Sequence, residues 1–574
     1  MFQNYAKIAF RNLFKQRGYA FINIAGLAVG IVSCILIFLY IADELRFDRQ
    51  FSASDRTYRL IDYIKSDGEP YAAVPPKWGK MAAQQFPEIA NMVRIRKMDL
   101  FTPLITHGEK RFYEDSIWFV DSTFFAVFDF EVAAGDRQSP LQAPNSIVLS
   151  ESAARKYFGE QEAVGKSLTY NQQEQLLVTA VVKVPKNTHL QFSMVRRFPP
   201  EPSGWWVRTY LLLKENTAPA PLAAKIGMYL QENYREDDAV SFQFSPKLQP
   251  VTDIHLHSNA QWELGPNGNI AALYLLGAIA ILILLVACIN FMNLATARAI
   301  HRGREVGMRK VLGAHRRQLA AQFLGESILM AIFAFILALG LLEFLLPYFE
   351  AFTNKHISDL YRSYVFSTGG IFSIILFVGL LSGSYPALFL SSFKPINILK
   401  GAAGSRSPRL RKALVVSQFA ISMILLIGTG VIFDQLEYVK NKRLGFNKDK
   451  LLVITSRDRE VNTSYESIKA SLLQHSDIVN ISFSQAVPGR RVTSFRYTMP
   501  GNEPLEFGMT AFATDHDFIK TMGIEMKAGR DFSADFGTDH EAFILNQAAV
   551  AALGWENPVG REIGVTYFLS LIHI

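Results

Sequence analysis

Five long stretches without a charged side chain govern what this chain can fold into. The hydrocarbon core of a bilayer is about 30 Å thick and a helix rises about 1.5 Å per residue, so roughly 20 apolar residues cross it. Between Arg17 and Asp43 lie 25 uncharged residues, including FINIAGLAVGIVSCILIFLYIA. The second run follows a GPNGN breaker and extends from about Ile270 to Thr296. The third covers about Phe323 to Leu346, with Glu326 near one end and Glu343 near the other. The fourth lies between Arg362 and Lys394, and the fifth is the 21 residues between Lys412 and Asp434. The first run exceeds the core of a cleaved signal peptide and is read as an anchor. Five such runs predict an integral membrane α-helical protein with five spans.

Charge placement gives the orientation. Lys7, Arg11, Lys15 and Arg17 precede the first run without an acid. Arg298, Arg302, Arg304, Arg309, Lys310, Arg316 and Arg317 separate the second and third runs, against Glu305 alone. Lys394, Lys400, Arg406, Arg409, Arg411 and Lys412 separate the fourth and fifth, again without an acid. Counting spans puts all three segments on one side, which the positive-inside rule makes cytoplasmic. The formal net charge of +8 is therefore a signal of topology; the remainder of the chain is net acidic, and nucleic acid is not an expected partner. Both cysteines, Cys34 and Cys288, sit inside apolar runs, so no disulfide framework holds the polar regions, which must fold on apolar cores of their own.

The expected organisation is a cytoplasmic interfacial helix at 1–20, a first span at 21–42, and an extracytoplasmic domain at 44–269. A bundle of spans two to four follows at 270–393, with a cytoplasmic loop at 298–318. A cytoplasmic linker at 394–412 leads to span five at 413–433 and a second extracytoplasmic domain at 434–568; the closing LSLIHI, 569–574, reads as an artefactual end. The two polar regions resemble each other. Phe124 precedes Gly135 by eleven residues as Phe518 precedes Gly529, and Gly165 and Gly560 follow at nearly equal distance. Each copy has a β-like run (SIVLS, AFILN), an alanine-rich helical stretch and a V-G-basic turn. On this repeat the second copy lacks its own set of spans, and a longer natural protein is expected. Runs such as LLVTAVVKV and LLVIT read as strands and APLAAKIGMYLQENY as a helix, giving α+β outer domains. Lys7, Arg11 and Lys15 recur at i,i+4 away from Phe10, Leu13 and Phe14, which suits a helix on the lipid surface as well as plain topogenic charge.

The stretch RAIHRGREVGMRKVLGAHRRQLAAQFLGES is expected to be helical around Arg302 to Leu312, with Glu305 and Arg309 an i,i+4 pair and Gly313 ending the helix. By itself it reads more readily as a solvated basic loop that obeys topology. Together with RNLFKQRGYAFINIAGLAVGI, SIVLSESAARKYFG, VTDIHLHS and GSYPALFLSSFKPINILKG, it resembles the FtsX-like, MacB-like ABC transporter permease family over nearly the whole chain. The resemblance implies a MacB-like periplasmic core outside and an FtsX-like bundle in a bacterial plasma (inner) membrane, with the N-terminus cytoplasmic. It also implies a non-catalytic subunit. A separate cytoplasmic ABC ATPase dimer, holding the ATP and Mg, would dock on Arg304, Glu305, Val306, Gly307, Met308, Arg309, Lys310, Val311, Leu312, Gly313 and Ala314. No cofactor is expected in this chain itself.

Hydrolysis by that partner would be relayed to the outer domains for export or extraction of lipoprotein, peptide, lipid or amphipathic drug. Alternatives are a transmembrane activator of cell-wall hydrolases, or a ligand-binding receptor without transport. Membrane lipid and a periplasmic adaptor or cell-wall hydrolase are the further partners considered. FGEQEAVGKSL has five residues between its glycines where a phosphate loop needs four, and is set aside. His255 and His257 lack a third nearby ligand and read as structural rather than metal-binding. Glu326 reads either as functional or as paired near the membrane boundary, and Trp205 and Trp206 as core.

Overall fold

The computed structural model describes residues 17–63, 70–97, 102–199, 206–234, 245–297, 306, 308–365, 368–391, 408–456, 461, 463–489, 494–499 and 503–566. The expected interfacial helix up to residue 16, most of the linker at 394–412 and the closing LSLIHI lie outside these residues.

The apolar runs form the helices Arg17–Leu45, Ile270–Ala297, Arg316–Thr353, Thr368–Ser391 and Pro408–Asn441. Four are long and apolar enough to cross a membrane, and the fourth in order, Thr368–Ser391, carries the shorter described apolar stretch Ile375–Leu388. The helices overrun the expected spans because polar residues continue the backbone hydrogen bonding past the apolar stretch; the third is 38 residues long. The first three and the fourth share one core, in which Leu27, Ile31, Ile35 and Leu39 of the first meet Cys288 and Phe291 of the second, Ala334 and Ala338 of the third and Val378 of the fourth. Small residues let the backbones approach: a Cβ on Gly30 would lie 2.7 Å from Ala287 Cβ. Outward-facing Ile281, Ile336 and Phe377 are exposed, as hydrocarbon allows and water does not. The fifth helix touches the second through Asn293 Nδ2, which donates to Gln418 Oε1 at 3.1 Å, and is otherwise largely exposed.

Between the first two helices lies an α+β domain built on one large sheet. Its strands are Thr57–Tyr63 (β1), Pro70–Tyr71 (β2), Ile89–Lys97 (β3), Leu104–His107 (β4), Lys110–Tyr113 (β5), Ile117–Val120 (β6) and Glu131–Gly135 (β7). Ser146–Ser150 (β8), Ser167–Tyr170 (β9), Glu174–Lys183 (β10), Met194–Arg197 (β11), Arg208–Leu213 (β12) and Pro246–Pro250 (β13) complete it. The order is β13-β1-β12-β3-β6-β11-β8-β10-β9-β4-β5, with β2 on β1 and β7 on β10. The pairs β8–β10 and β6–β11 are parallel and the others antiparallel. LLVTAVVKV becomes β10, and APLAAKIGMYLQENY becomes the helix Pro219–Asn233, as expected. That helix and Pro76–Gln85 cover one end of the sheet through Leu222, Ile226, Leu230, Trp78 and Ala82. An aromatic cluster, Phe51, Trp118, Phe124, Phe128, Phe130 and Phe192, fills the middle.

The two outer regions repeat locally. Gly135 and Gly529 have φ of +94° and +80°, and Gly165 and Gly560 have +81° and +80°, a conformation that glycine adopts at least cost. Phe124 and Phe518, both buried, each begin a short helix. Ser150 and Asn546 occupy matching N-caps, each accepting from the amide three residues on. The strand expectation fails in the second copy, however: neither AFILN nor LLVIT is a strand. SIVLS is β8 because β10 and β11 flank it, whereas among the described residues the second region has only the sheet Glu503–Thr510, Ser494–Met499, Gly564–Thr566, which offers AFILN no ladder.

Asp62, on β1, is buried and accepts the Ser245 N–H at 2.8 Å, with no cation paired to it among the described residues, so burial pushes its carboxyl up to about 6. A raised carboxyl costs stability above its folded-state pKa, and the cost vanishes as pH falls below the unfolded value near 4. Asp62→Asn keeps an acceptor for Ser245. We expect it to stabilise the domain by about 2–3 kcal/mol at pH 7.5 and by about half as much at pH 5. Thermal unfolding of wild type and variant at both pH values checks this; a pH-independent difference would contradict it.

Candidate functional site

Two places on the bundle concentrate polar structure, one at each end. At the end away from the sheet, residues 298–305 and 307, with Arg304, Glu305 and Gly307 among them, lie outside the described residues, while Val306 and residues 308–318 are described. Val306 and Met308–Val311 are helical, and Gly313, with φ of +95°, terminates the turn as its sequence position foretold. Val306 is 3% exposed and packs with Leu319 and Phe323 of the third helix and Ala387 of the fourth. Arg309 Nη1 donates to Gln322 Oε1 at 2.6 Å, and Gln322 Nε2 to Glu326 Oε1 at 3.4 Å, which places Glu326 in a polar chain leading to the basic segment. His315 and Gln318 form a capping box that starts the third helix directly afterwards. Met308, Val311 and Leu312 point the other way, and Leu312 is 86% exposed. The segment is thus a short helical turn, fixed to two helices on one side and offering an apolar edge on the other.

At the sheet end, the first helix runs to Leu45 and then enters a hydrogen-bonded turn, rather than continuing as helix through Phe51. Here Glu44 Oε2 accepts from His255 Nε2 at 2.6 Å, and the Phe47 ring stacks on the His255 ring at 3.5 Å. Lys355, between the third and fourth helices, reaches Asp43 Oδ2 at 2.5 Å and Glu44 Oε1 at 2.8 Å. Burial alone would lower the Lys355 ammonium, but the two carboxylates outweigh it and raise its pKa. The turn holding Lys355 is set by Asn354 in the left-handed region and by the Glu350 carboxylate, which accepts the Ile357 and Ser358 amides. Gly268, just before the second helix, donates its amide to His255 O at 2.8 Å.

Four residues beyond Glu44, Asp48 takes φ of +61° and accepts from Thr188 Oγ1 at 2.5 Å and the His189 amide at 3.1 Å. His189 Nδ1 lies 2.8 Å from Asp48 Oδ2, and Nε2 lies 2.7 Å from the Tyr210 hydroxyl. Arg59, fully buried beside Tyr210 in the sheet, pairs with both oxygens of Glu263 and donates to Gln249 Oε1 at 2.7 Å and Ser258 Oγ at 3.1 Å.

The sequence singled out His255 with His257, but the two part: His257 is half exposed, 4.0 Å from Asp253. Asp43, Glu44, Lys355, Asp48 and Arg59 were not singled out. Charges flanking apolar runs were the available signal, since a carboxylate at a span's end needs a nearby partner if the domain buries it. Trp206 meets Trp262 edge-on at 5.2 Å, while Trp205 is outside the described residues. The FGEQEAVGKSL segment leads from Gly165 into strand β9, without the helix N-terminus a phosphate loop requires. Among the described residues no three metal-ligating side chains converge.

A bundle of apolar helices with an α+β domain inserted after its first member defines a multi-pass integral membrane protein with a large extramembrane domain. Residues 20–228 match the MacB-like periplasmic core domain, and residues 277–395 match the FtsX-like permease C-terminal domain. The chain belongs to the FtsX-like, MacB-like ABC transporter permease family, and its large domain is extracytoplasmic. It is 23% identical over 422 residues to the uncharacterized ABC transporter permease YvrN of Bacillus subtilis, covering 69% of this chain and 98% of that one. It is 34% identical over 129 residues to the macrolide export ATP-binding/permease protein MacB of Bdellovibrio bacteriovorus, covering 22% of this chain and 19% of the relative. With MacB of Pasteurella multocida the identity is 25% over 259 residues, 43% of this chain and 37% of the relative. The match thus spans well under two thirds of both MacB proteins. Among solved structures, the periplasmic region of MacB from Actinobacillus actinomycetemcomitans aligns with 32% of this chain and 86% of its own at 12% identity and a TM-score of 0.26.

Proposed function

We propose that the chain is the membrane subunit of an ABC-type machine in which a separate cytoplasmic ATPase dimer, carrying ATP and Mg, drives movement of the extracytoplasmic domains. The observation that carries this reading is the two-sided basic segment. Val306 is buried between the third and fourth helices while Met308, Val311 and Leu312 stand exposed beside it. Force applied to the apolar edge therefore reaches two spans at once. The excess of Lys and Arg on this side supports a cytoplasmic location, with the N-terminus on the same side. The contact surface runs from Arg304 to Ala314. This chain supplies no hydrolytic chemistry in the mechanism; it holds the partner and relays its motion. Moved cargo would be a lipoprotein, peptide, lipid or amphipathic drug.

Burying an exposed leucine in a partner groove contributes about 1.5–3 kcal/mol, and every 1.4 kcal/mol is tenfold in affinity. Full-length chain isolated from its native membrane should carry ATP-hydrolysing activity, and Leu312→Asp should reduce the co-recovered activity at least tenfold while leaving insertion into the membrane intact. Recovery of the same ATPase by the Leu312→Asp chain would show that the contact lies elsewhere.

A further inference from the structure

We infer that Asp43, Glu44, His255 and Lys355 form a mechanical joint that locks the extracytoplasmic domain to the outer ends of four membrane helices, so that the domain cannot swing unless this cluster opens. The inference rests on the coupling function proposed above for its meaning, though not for its geometry. The four members come from three separate parts of the chain. Asp43 and Glu44 end the first helix, His255 belongs to the base of the sheet domain, and Lys355 lies between the third and fourth helices. The second helix joins through Gly268, whose amide is bonded to His255 O.

The contacts are tight and shielded. A Cβ on Gly268 would come within 2.9 Å of His255 Nε2 and 3.0 Å of Glu44 Oε2. Phe47 covers the His255 ring, and the Lys355 ammonium lies 5.0 Å from the centre of the Tyr40 ring. Removing one partner from such a shielded set leaves an uncompensated charge, so the cluster favours being wholly made or wholly open. The exit turn of the first helix is pinned separately: Asp48 accepts from Thr188 and His189, and its own amide donates to Asn187 O at 3.0 Å. Movement between the first helix and the domain is thus blocked at Asp48. The lysine is the only contact in the set that reaches across to the third and fourth helices. Lys355 is accordingly a positioning residue: the first helix is packed along its length in the bundle core, and Lys355 fixes how its outer end, with the domain attached, sits against the turn after the third helix.

The test uses the full chain in lipid nanodiscs, without an ATPase. Spin labels are attached at Met228→Cys on the domain and Tyr348→Cys on the third helix, in a Cys34→Ser, Cys288→Ser background, and the distance distribution is measured by pulsed electron resonance. The unaltered joint should give one narrow distribution. Lys355→Met should broaden it at least twofold, and Lys355→Arg should restore it. Should Lys355→Met fail to fold, Gly268→Ala, which presses on His255 and Glu44 directly, supplies the same reading. A distribution unchanged in whichever of these two variants folds would overturn the joint. Because the measurement needs no partner, it can fail while ATPase capture succeeds, and Lys355→Met should capture the ATPase as well as wild type.

Discussion

Replacing Arg59 by methionine should lower the unfolding midpoint of the extracytoplasmic domain by about 10 °C. Arg59 lies on β1, opposite Gln249 of β13 and Tyr210 of β12, with no exposed surface, and its guanidinium is the cation facing both oxygens of Glu263. Burial alone would raise the Glu263 carboxyl, but Arg59, with Ser258 and Asn267, holds it below its ordinary range. Its stabilising contribution is thus present above the unfolded value and lost as pH falls through the lowered one. Methionine fills much of the volume but removes the cation that pairs with both oxygens of that carboxylate. Breaking a buried pair from one side costs about 3–5 kcal/mol, and about 2–4 °C accompanies each kcal/mol in a domain of this size. Removing both charges is different: Arg59→Met with Glu263→Gln should recover most of the loss, since replacing a buried pair as a unit is often neutral. Circular dichroism melts of wild type and the two variants in detergent decide the matter. Equal losses in the single and double variants would mean that arginine packing, not charge pairing, holds this end of the sheet.

Membrane architecture was legible in the sequence because its determinant is local. A run such as that between Arg17 and Asp43 must be a helix in hydrocarbon, where each unpaired backbone group costs several kcal/mol, so composition alone decides it. The repeat was legible for a related reason. Gly135, Gly165, Gly529 and Gly560 all occupy positive φ, and a backbone requirement leaves a mark at fixed spacing. The strand assignments show the opposite case. SIVLS and AFILN have the same pattern of apolar residues, yet only the first meets two neighbouring strands. Pairing partners are set by distant sequence, which periodicity does not report.

The candidate site divides along the same line. The basic segment announces itself by composition, and Gly313 by its place after the last helical residue. The outer cluster was invisible because it joins Glu44 to His255 and Lys355, residues 211 and 311 positions further on, and single-sequence reading has no access to such separations. His255 was read as structural rather than metal-binding, but its partners, one carboxylate and one phenyl ring, were not legible. The stretch from Gly379 to Gly383 carried a signal that went unused: two glycines at i,i+4 within an apolar run mark a helix face that another helix can approach closely.

That face is the second place where a single change should have a large effect. A Cβ built on Gly383 would lie 2.6 Å from Ser327 Cβ and 2.7 Å from Ser327 Oγ, and one on Gly379 would lie 2.9 Å from Ile328 Cγ1 and 3.1 Å from Ile328 Cα. The Ile328 Cα is backbone and cannot rotate away, so any side chain at these positions must separate the third and fourth helices. Their packing also supports Val306, through Phe323 on one helix and Ala387 on the other, so separation there would loosen the seat of the basic segment. Overpacking a close interface costs about 1–3 kcal/mol per site, and with leucine at both sites the helices should no longer pack as a pair. Gly379→Leu with Gly383→Leu is therefore expected to abolish the cooperative melt of the detergent-solubilised bundle and to reduce ATPase recovery on the full chain at least tenfold. Gly340 lies on the third helix with nothing within 4 Å of a built Cβ, and Gly340→Leu should melt like wild type and retain the ATPase. If the Gly340 variant loses as much as the paired one, general intolerance of bulk in the bundle accounts for the result, and the close approach of the third and fourth helices is not what seats the segment.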